Sequence, residues 1–430
     1  MSTLLDRTIA PPAQSIEKVN ILKANQTSLT NGLTLYTIQA GEQPVLRLEL
    51  IFDAGNKYDK SIIGTSFFTA KMLIEGTNQR SAAEISESFD QYGAFLEVNQ
   101  TADRASIMVY GMTQHLAKVL PIIREMLLDS VIPEKELEIQ RKIAIQNLKV
   151  NQEKTAFVAS QIFREKIFSS DNAYGRSLKE ENINQISRND IVEFYQNHFK
   201  NRPFKVFLSG KFDETEINLV DEYLGSIEVN SIEAIKPIII PENQSSGKLL
   251  VEKPENVQST IRLGRTLFNR THPDFNKFIV TNTILGGYFG SRLMKNIREE
   301  KGFTYGISSS LIPLAETGYL VIGTDVKKEF TTQTIDEIHK EIRILQTEKV
   351  SDDELDTVKN YLIGSFVGSL NTPFEIADRQ KNVILDKLPE DFYEKYIERI
   401  RSVSAEDILE IANKYYQIEG LSEVVVGGYH

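Results

Sequence analysis

The sequence contains no cysteine, which excludes disulfide bonds and thiolate metal sites. It has no apolar run near the roughly 18 residues that a membrane-spanning helix needs, so no membrane partner is expected. Its start, MSTLLDRTIAPPAQ, has no basic segment followed by an apolar core, so no signal peptide is predicted. A cytoplasmic location is therefore expected, or a periplasmic one if the natural N-terminus lies further upstream.

Basic residues are too few to balance the acidic ones, and the formal net charge is -11. Nucleic-acid binding usually needs a basic face, so no nucleic-acid partner is expected. The hydrophobic fraction of 41% and the charged fraction of 25% are typical of a soluble globular protein. A chain of 430 residues is too long for one ordinary core, which indicates two or more domains.

An internal repeat is the most informative feature of the organisation. Residues 186–212 and 403–429 share a pattern in which Ser187 matches Ser404 and Asp190 matches Asp407, 217 residues apart. Serine followed three residues later by an acid is a helix N-terminus with the character of a capping box. Each copy then runs into a β-branched strand that ends in glycine.

A second repeat keeps nearly the same spacing: PEKELEIQRKI begins at Pro133 and SDDELDTVKNYL begins at Ser351. Two repeats at one spacing indicate two similar domains, and the period is far too long for a solenoid. We predict an N-terminal domain over 1–225, a C-terminal domain over 247–430, and a linker over 226–246. The linker is polar, contains two prolines and ends in a Ser pair.

Hydrophobic periodicity predicts strands interleaved with long helices in both halves. The predicted strands lie near 46–52, 105–110, 205–208, 249–252, 260–267, 304–312, 317–325 and 423–426. The segments with helical periodicity are 113–129, 134–168, 188–200, 273–286, 328–347 and 352–369. The fold class is therefore α/β (α+β), with one mainly antiparallel sheet per domain covered by helices.

The segment GTSFFTAKMLIEGT (64–77) resembles a phrase of the insulinase/pitrilysin family of zinc peptidases, above all in its mitochondrial-processing-peptidase-like branch. The family phrase is G-x-A-H-F-L-E-H-M-L-F-K-G-T, and it is matched at Gly64, Phe68, Met72, Leu73, Gly76 and Thr77. Residues 172–176, NAYGR, resemble the PYGR segment of the family. The resemblance covers essentially the whole chain and implies a half-clam of two homologous domains.

The residues that bind and use zinc in this family are replaced. Its inverted H-x-x-E-H motif places two histidines one helical turn apart and a glutamate between them. The histidine positions here are Phe67 and Lys71, the glutamate position is Ala70, and the third-ligand position is Asn147, or Gln146 if the alignment slips by one. None of these side chains can take its family role, and the histidines at 115, 198, 272, 339 and 430 form no local pair. We therefore predict no metal and no cofactor on this chain.

The second half keeps a different family phrase. ILGGYFGSRLMKNIREEKGFTYGISSS (284–310) resembles L-G-G-x-x-S-S-R-L-x-x-x-I-R-E-x-x-G-L-A-Y-x-V. Spacing predicts a helix up to Lys301 that ends at a left-handed Gly302, with Arg298 in its last turn and Tyr305 on the following strand. The resemblance implies that Arg298 and Tyr305 bind substrate and support the oxyanion at a zinc site. The alternatives are a surface ion pair of Arg298 with Glu299 or Glu300, and a core position for Tyr305.

Residues 92–101, YGAFLEVNQT, resemble the edge strand onto which the family adds substrate peptide as an extra strand. The candidate peptide-binding residues are Phe95, Leu96, Glu97, Val98 and Asn99. An ordinary sheet strand is an equally good interpretation of the same pattern.

The leading hypothesis is a zinc-free subunit of a heterodimeric peptidase, inactive alone. The expected partner is a homologous subunit that bears H-x-x-E-H, so zinc is expected only on the partner chain. Arg298 and Tyr305 would act in trans on a peptide or unfolded-protein substrate. The alternatives are a homodimeric peptide-binding or scaffold protein without peptidase activity, and an autonomous peptidase with an unusual site.

Overall fold

Two β-sheets, each with its own hydrophobic core, form the framework of the protein. The computed structural model describes residue 8 and residues 16–60, 62–230 and 246–429. The prediction of two homologous domains, each a mainly antiparallel sheet covered by helices, is confirmed.

The first sheet has six strands and the second has five. The strands of the first sheet are β1 (Asn25–Ser28), β2 (Thr34–Gln39), β3 (Val45–Phe52), β4 (Phe95–Gln100), β5 (Ala105–Met112) and β6 (Phe204–Gly210). The strands of the second sheet are β7 (Gly247–Glu252), β8 (Gln258–Leu267), β9 (Thr304–Pro313), β10 (Gly318–Lys327) and β11 (Ser422–Gly427).

The two sheets share one topology. The first has the order β1-β2-β6-β3-β5-β4 and the second the order β7-β11-β8-β10-β9, so among the described strands β1 alone has no counterpart. Neighbouring strands are antiparallel except for β2 with β6 and β7 with β11, which occupy equivalent places. The edge strands β4 and β9 are also equivalent. The sequence repeat is therefore a repeat of structure.

Helices account for most of the remaining chain, and no described helix is long and apolar enough to cross a membrane. The helices of the first half are α1 (Thr65–Met72), α2 (Ala82–Asp90), α3 (Leu116–Asp129), α4 (Glu134–Gln152), α5 (Thr155–Phe168), α6 (Glu180–Gln185), α7 (Arg188–His198) and α8 (Glu214–Leu224). Those of the second half are α9 (Phe275–Asn282), α10 (Thr331–Thr347), α11 (Asp352–Gly368), α12 (Pro373–Leu385), α13 (Tyr396–Arg401) and α14 (Ala405–Tyr415). Two π-helical turns follow α9, at Thr283–Gly287 and Met294–Glu300.

The capping boxes predicted from the repeat are present in both copies. The Ser187 hydroxyl accepts a hydrogen bond from the Asp190 N–H, and the Asp190 carboxylate accepts one from the Ser187 N–H. Ser404 and Asp407 make the same reciprocal pair at the start of α14. These bonds satisfy N–H groups that a helix N-terminus otherwise leaves unpaired.

The long helical segment predicted over 134–168 is two helices. The backbone leaves the helical conformation at Lys154, with φ -82° and ψ 117°, although neither proline nor glycine marks the break. Helix α5 contributes Ala159 and Phe163 to a buried cluster. These two side chains pack with Val424 and Val426 of the second sheet. The break therefore lets a helix from the first half cover the sheet of the second.

The equivalent helix of the second half makes the reciprocal crossing. α12 packs on the first sheet, where its Ile384 and Leu385 lie against Tyr36, Ile51 and Phe207. Each sheet is thus covered on one face by a helix from the other half, which fastens the halves together.

The domain boundaries in space are less simple than those predicted along the chain. Ile21, within the predicted first domain, is buried in the core of the second. Ile227, within the predicted linker 226–246, is buried in the core of the first. Most of that linker, residues 231–245, lies outside the described residues, so its linker character stays a prediction.

Charged side chains join α12 to β3 inside this crossing. Arg47 is 3% exposed and forms a two-pronged pair with Asp378, at 2.8 Å and 3.3 Å. Glu49, on the same face of β3, pairs with Lys381 at 2.8 Å, and Lys381 also contacts Asp378 at 3.0 Å. Burial acts to raise the pKa of Asp378, but the hydrogen bond and charge of Arg47 outweigh it, and the pKa lies below its usual value.

Arg47→Ala is expected to lower the free energy of unfolding by about 1.5–3 kcal/mol, because it removes the charge-assisted hydrogen bonds of a buried guanidinium, while Lys381 still compensates Glu49 and the half-exposed Asp378. Urea denaturation measures the change. Lys23→Ala is the matched control: its pair with Glu394 is exposed, and its loss is expected to cost less than about 1 kcal/mol. A loss below about 1 kcal/mol for Arg47→Ala would show that the buried pair does not hold the halves together.

Candidate functional site

Helix α1 carries three of the four positions at which the sequence resemblance places the zinc ligands and the catalytic glutamate, namely 67, 70 and 71. It begins after Gly64, whose φ of 97° favours glycine. The buried Asp59 carboxylate accepts hydrogen bonds from the N–H groups of Gly64 (2.8 Å) and Ser66 (2.7 Å), and so caps the helix from outside it. Burial raises the pKa of Asp59, and these two hydrogen bonds oppose the rise. The frame of the helix is therefore intact.

The side chains at the zinc positions pack as ordinary structural residues. Ala70 is 2% exposed, and Phe67 lies against the first core with its ring edge-on to Phe68 at 5.3 Å. Lys71 is half-buried on the same helix. Asn147 is exposed on α4, which packs against α1. No hydrogen bond among the described residues joins Asn147 to the three α1 positions.

A hydrogen bond links α4 to the segment that follows α1. Gln140 of α4 donates a hydrogen bond to the Glu75 carboxylate at 2.7 Å. Burial raises the pKa of Glu75, while the Gln140 hydrogen bond and the Lys71 charge act to lower it. Position 71, where the resemblance places a zinc-binding histidine, thus carries a positive charge that interacts with a nearby carboxylate.

Zinc does not fit this set of side chains. Phenylalanine and alanine offer no donor atom, a protonated lysine repels a cation, and an amide is a poor zinc ligand. Among the described residues, no group of three or more His, Asp or Glu side chains is placed to hold a metal ion elsewhere.

The candidate peptide strand lies at the edge of its sheet. β4 pairs with β5 and has no second strand neighbour in the described part of the chain. Phe95, Glu97 and Asn99 point to the exposed side, whereas Leu96 and Val98 pack on the first core. Gln100 at its end donates to the Ser66 hydroxyl of α1 at 3.1 Å, which ties the edge strand to the degenerate helix. Its outer backbone groups are available to an added strand.

Arg298 lies in a helical segment that is anchored by its neighbours. Arg292 makes a two-pronged pair with Glu354, at 2.9 Å and 2.7 Å, and Asn296 donates to Glu337 and Glu341. Arg298 itself is in the last turn and has no acidic partner among the described residues. An ion pair with Glu299 or Glu300 is therefore not formed. The Arg298 guanidinium, in this anchored segment, is therefore available to a ligand.

Tyr305 follows a tight helix ending. Gly302 has a φ of +66°, and the Phe303 N–H donates to the Ile297 carbonyl six residues back at 3.0 Å, as predicted for a left-handed glycine cap. Tyr305 then lies on the edge strand β9 and is 93% exposed, so it is not a core residue. No hydrogen bond joins it to Arg298 in the described part of the chain.

Two neighbours of this pair were not predicted from the sequence. Phe289 is 62% exposed, and the Arg298 guanidinium carbon lies 4.5 Å from its ring centroid, within range of a cation–π interaction. Beside Tyr305 is a cavity of about 620 Å³ that is also lined by Phe303 and Phe330, whose rings stack at 4.6 Å. The described lining includes Tyr305 but not Arg298. The aromatic residues in LGGYFGS and KGFTYG were the available signal.

Two protein-family models match this chain. The family model described as insulinase, peptidase family M16, matches residues 36–180, and the model described as peptidase M16 inactive domain matches residues 185–362. The chain belongs to peptidase family M16. The two matches follow one another along the chain and together span most of both sheets.

The curated relatives in family M16 carry different descriptions. An uncharacterized zinc protease YmxG of Bacillus subtilis is 23% identical over 81% of this chain and 88% of its own length. The mitochondrial-processing peptidase subunit beta of Rattus norvegicus is 22% identical over 95% of this chain and 86% of its own. A non-peptidase homolog YmxG of Helicobacter pylori is 22% identical over 89% of each chain.

A solved structure shows the same M16 fold over nearly the whole chain. The peptidase M16 inactive domain from Pseudomonas fluorescens superposes with a TM-score of 0.86 at 20% sequence identity. The match covers 95% of this chain and 98% of the other.

Proposed function

We propose that this chain is a non-catalytic subunit of an M16 peptidase pair. It binds no zinc itself, forms half of the substrate chamber, and supplies Arg298 and Tyr305 to a zinc site on a homologous partner. The observation that carries the proposal is an asymmetry: every zinc position is lost, whereas Arg298 and Tyr305 remain available to a ligand.

The side chains on α1 support the proposal that this chain has no peptidase activity of its own. Ala70 cannot take a proton from water, and Phe67 contributes to the packing of the first domain. The description of the Helicobacter pylori relative as a non-peptidase homolog supports the view that chains of this family exist without activity.

Residues of the second domain support the proposed contribution of this chain to catalysis at the partner's zinc site. A guanidinium and a phenol are both hydrogen-bond donors, and such donors stabilise the negative charge that develops on a carbonyl oxygen during hydrolysis. Tyr305 is 93% exposed, so its phenol is accessible to a ligand. The exposed Phe289 ring lies 4.5 Å from the Arg298 guanidinium carbon, where a cation–π interaction helps to hold the guanidinium in place.

The partner and the substrate follow from the same features. The relative described as subunit beta of a processing peptidase supports an assembly with a second, homologous chain. Strand β4, with a free edge beside α1, fits an extended peptide or an unfolded protein, which would pair with it as an added strand.

Co-expression with a sister M16 chain that carries H-x-x-E-H tests the assembly. The pair is expected to elute as a 1:1 heterodimer in size-exclusion chromatography with light scattering. Each chain expressed alone gives the reference mass. If this chain forms a stable homodimer that the sister chain does not dissociate, the scaffold alternative replaces the proposal.

A further inference from the structure

A second site lies in the C-terminal domain, in a cavity of about 270 Å³ between α9, α11, α12 and the segment before α13. Its walls include the rings of Phe366, Phe392, Tyr393 and Tyr396, and two arginines, Arg270 and Arg379, also line it. We call it the aromatic cavity. None of these residues belongs to the zinc positions, the edge strand β4 or the Arg298 segment.

Arg379 supplies an uncompensated positive charge to this cavity. Its guanidinium carbon lies 5.8 Å from the Phe366 centroid and 5.7 Å from the Tyr393 centroid, and its one hydrogen bond goes to the Ser369 hydroxyl at 2.7 Å. No acidic side chain pairs with it among the described residues. By contrast, Arg270 has an acidic partner, Asp386 at 2.6 Å, which Arg104 also contacts at 3.6 Å. A half-buried guanidinium with free N–H groups is suited to bind an anion.

Two phenols add uncommitted hydrogen-bond donors. The hydroxyls of Tyr393 and Tyr396 make no hydrogen bond to any described residue and keep some contact with solvent. Other deeply placed tyrosines of this protein do find acceptors: Tyr195 donates to the Leu127 carbonyl and Tyr416 to Asn282. Burial raises the pKa of Tyr396 to about 12, so its phenol stays a neutral donor near neutral pH. Two free donors at one cavity indicate a ligand with acceptor atoms.

The charge of Arg379 and the aromatic walls of the cavity together indicate the chemical class of the ligand. One unpaired guanidinium matches one negative charge, and a planar carboxylate accepts two parallel hydrogen bonds from it. A phosphate dianion would need a second guanidinium without an acidic partner, and the Arg270 guanidinium is already paired with Asp386. The aromatic rings suit an apolar body, and the volume is below that of sites for drug-sized ligands.

We propose that the aromatic cavity binds an apolar monocarboxylate through Arg379, Tyr393 and Tyr396. The carboxylate belongs either to a small free acid or to the C-terminal residue of a peptide. This site is independent of the proposed role of Arg298 and Tyr305, so the failure of either proposal leaves the other intact.

Isothermal titration of the full chain with 3-phenylpropionate tests the proposal against the neutral 3-phenylpropionamide. The acid is expected to bind at least about tenfold more tightly, because only it forms charge-assisted hydrogen bonds. A short peptide that ends in phenylalanine, as free acid and as amide, distinguishes the sources. Binding of the peptide acid indicates a chain terminus, and binding of the small acid alone indicates a free acid.

Three variants assign the binding to named groups. Arg379→Met is expected to weaken binding of the acid about tenfold or more, and Tyr396→Phe about threefold to tenfold. Arg399→Met is the matched control: Arg399 also stacks on a ring of the cavity, Phe392 at 5.3 Å, but does not line the cavity, so binding should change less than about twofold. Equal binding of acid and amide, no binding up to about 10 mM, or unchanged binding by Arg379→Met would overturn the proposal.

Discussion

Replacing Phe67 and Lys71 by histidine and Asn147 by glutamate is expected to create a zinc site between α1 and α4. Positions 67 and 71 lie one helical turn apart on α1, the spacing at which two histidines bind one ion. The capping by Asp59 and the packing of α4 against α1 are retained in the variant. One zinc equivalent should bind with a Kd below about 1 µM, as three protein ligands allow.

A competition titration with a zinc indicator measures this gain. Phe67→His with Lys71→His, but with Asn147 kept, is the control and should bind about tenfold more weakly or worse, because a carboxylate ligand is missing. If the triple variant binds zinc no better than the natural chain, then α1 and α4 no longer hold these positions in the arrangement of active M16 peptidases.

Arg298→Ala and Tyr305→Phe are each expected to lower kcat of the reconstituted pair by roughly 10²–10³-fold. Removing one preorganised donor to an oxyanion has effects of this size, and the loss appears in kcat because the charge exists only in the transition state. The expectation is specific to this pair because Tyr305 is almost fully exposed and Arg298 has no acidic partner in the described structure. Their replacement should therefore leave stability nearly unchanged.

Tyr361→Phe is the matched control for this pair of variants. Tyr361 is also an exposed tyrosine of the second domain, where its ring lies 4.8 Å from that of Tyr288. Its substitution should leave kcat unaltered. Full activity of the mixed pair with either Arg298→Ala or Tyr305→Phe would refute a role in trans.

Much of the fold was predictable because its signals are local. The capping boxes at Ser187 and Ser404 require only a serine and an acid three residues on, and both formed as expected. Strands β3 and β5 alternate apolar and polar residues, and Gly302 follows the last apolar position of its helix. The spacing of two repeats then indicated two equivalent domains, and the equivalent strand orders confirm it.

The crossing of the halves could not be predicted in the same way. Periodicity shows that α5 has an apolar face, but not which sheet covers that face. The chain leaves the helical conformation at Lys154 without a proline or glycine signal, and beyond this break Phe163 packs on the second sheet. Ile21 joins the second core for the same reason: burial partners are set by the whole structure and not by neighbours in sequence.

The features of the candidate site also differ in how far the sequence predicts them. The absence of zinc ligands is read directly from residue types, because phenylalanine and alanine cannot bind a metal in any conformation. The exposure of Tyr305, the stacking of Arg298 on Phe289 and the uncommitted donors around Arg379 depend on three-dimensional placement. These features could be recognised only in the three-dimensional structure.

Peptide hydrolysis by three samples, namely this chain with zinc, the zinc-bearing sister chain, and an equimolar mixture, tests the central claim most directly. We expect no hydrolysis by this chain, little by the sister chain alone, and full activity only in the mixture. Zinc-dependent hydrolysis by this chain alone, or equal rates for the sister chain with and without it, would contradict the account.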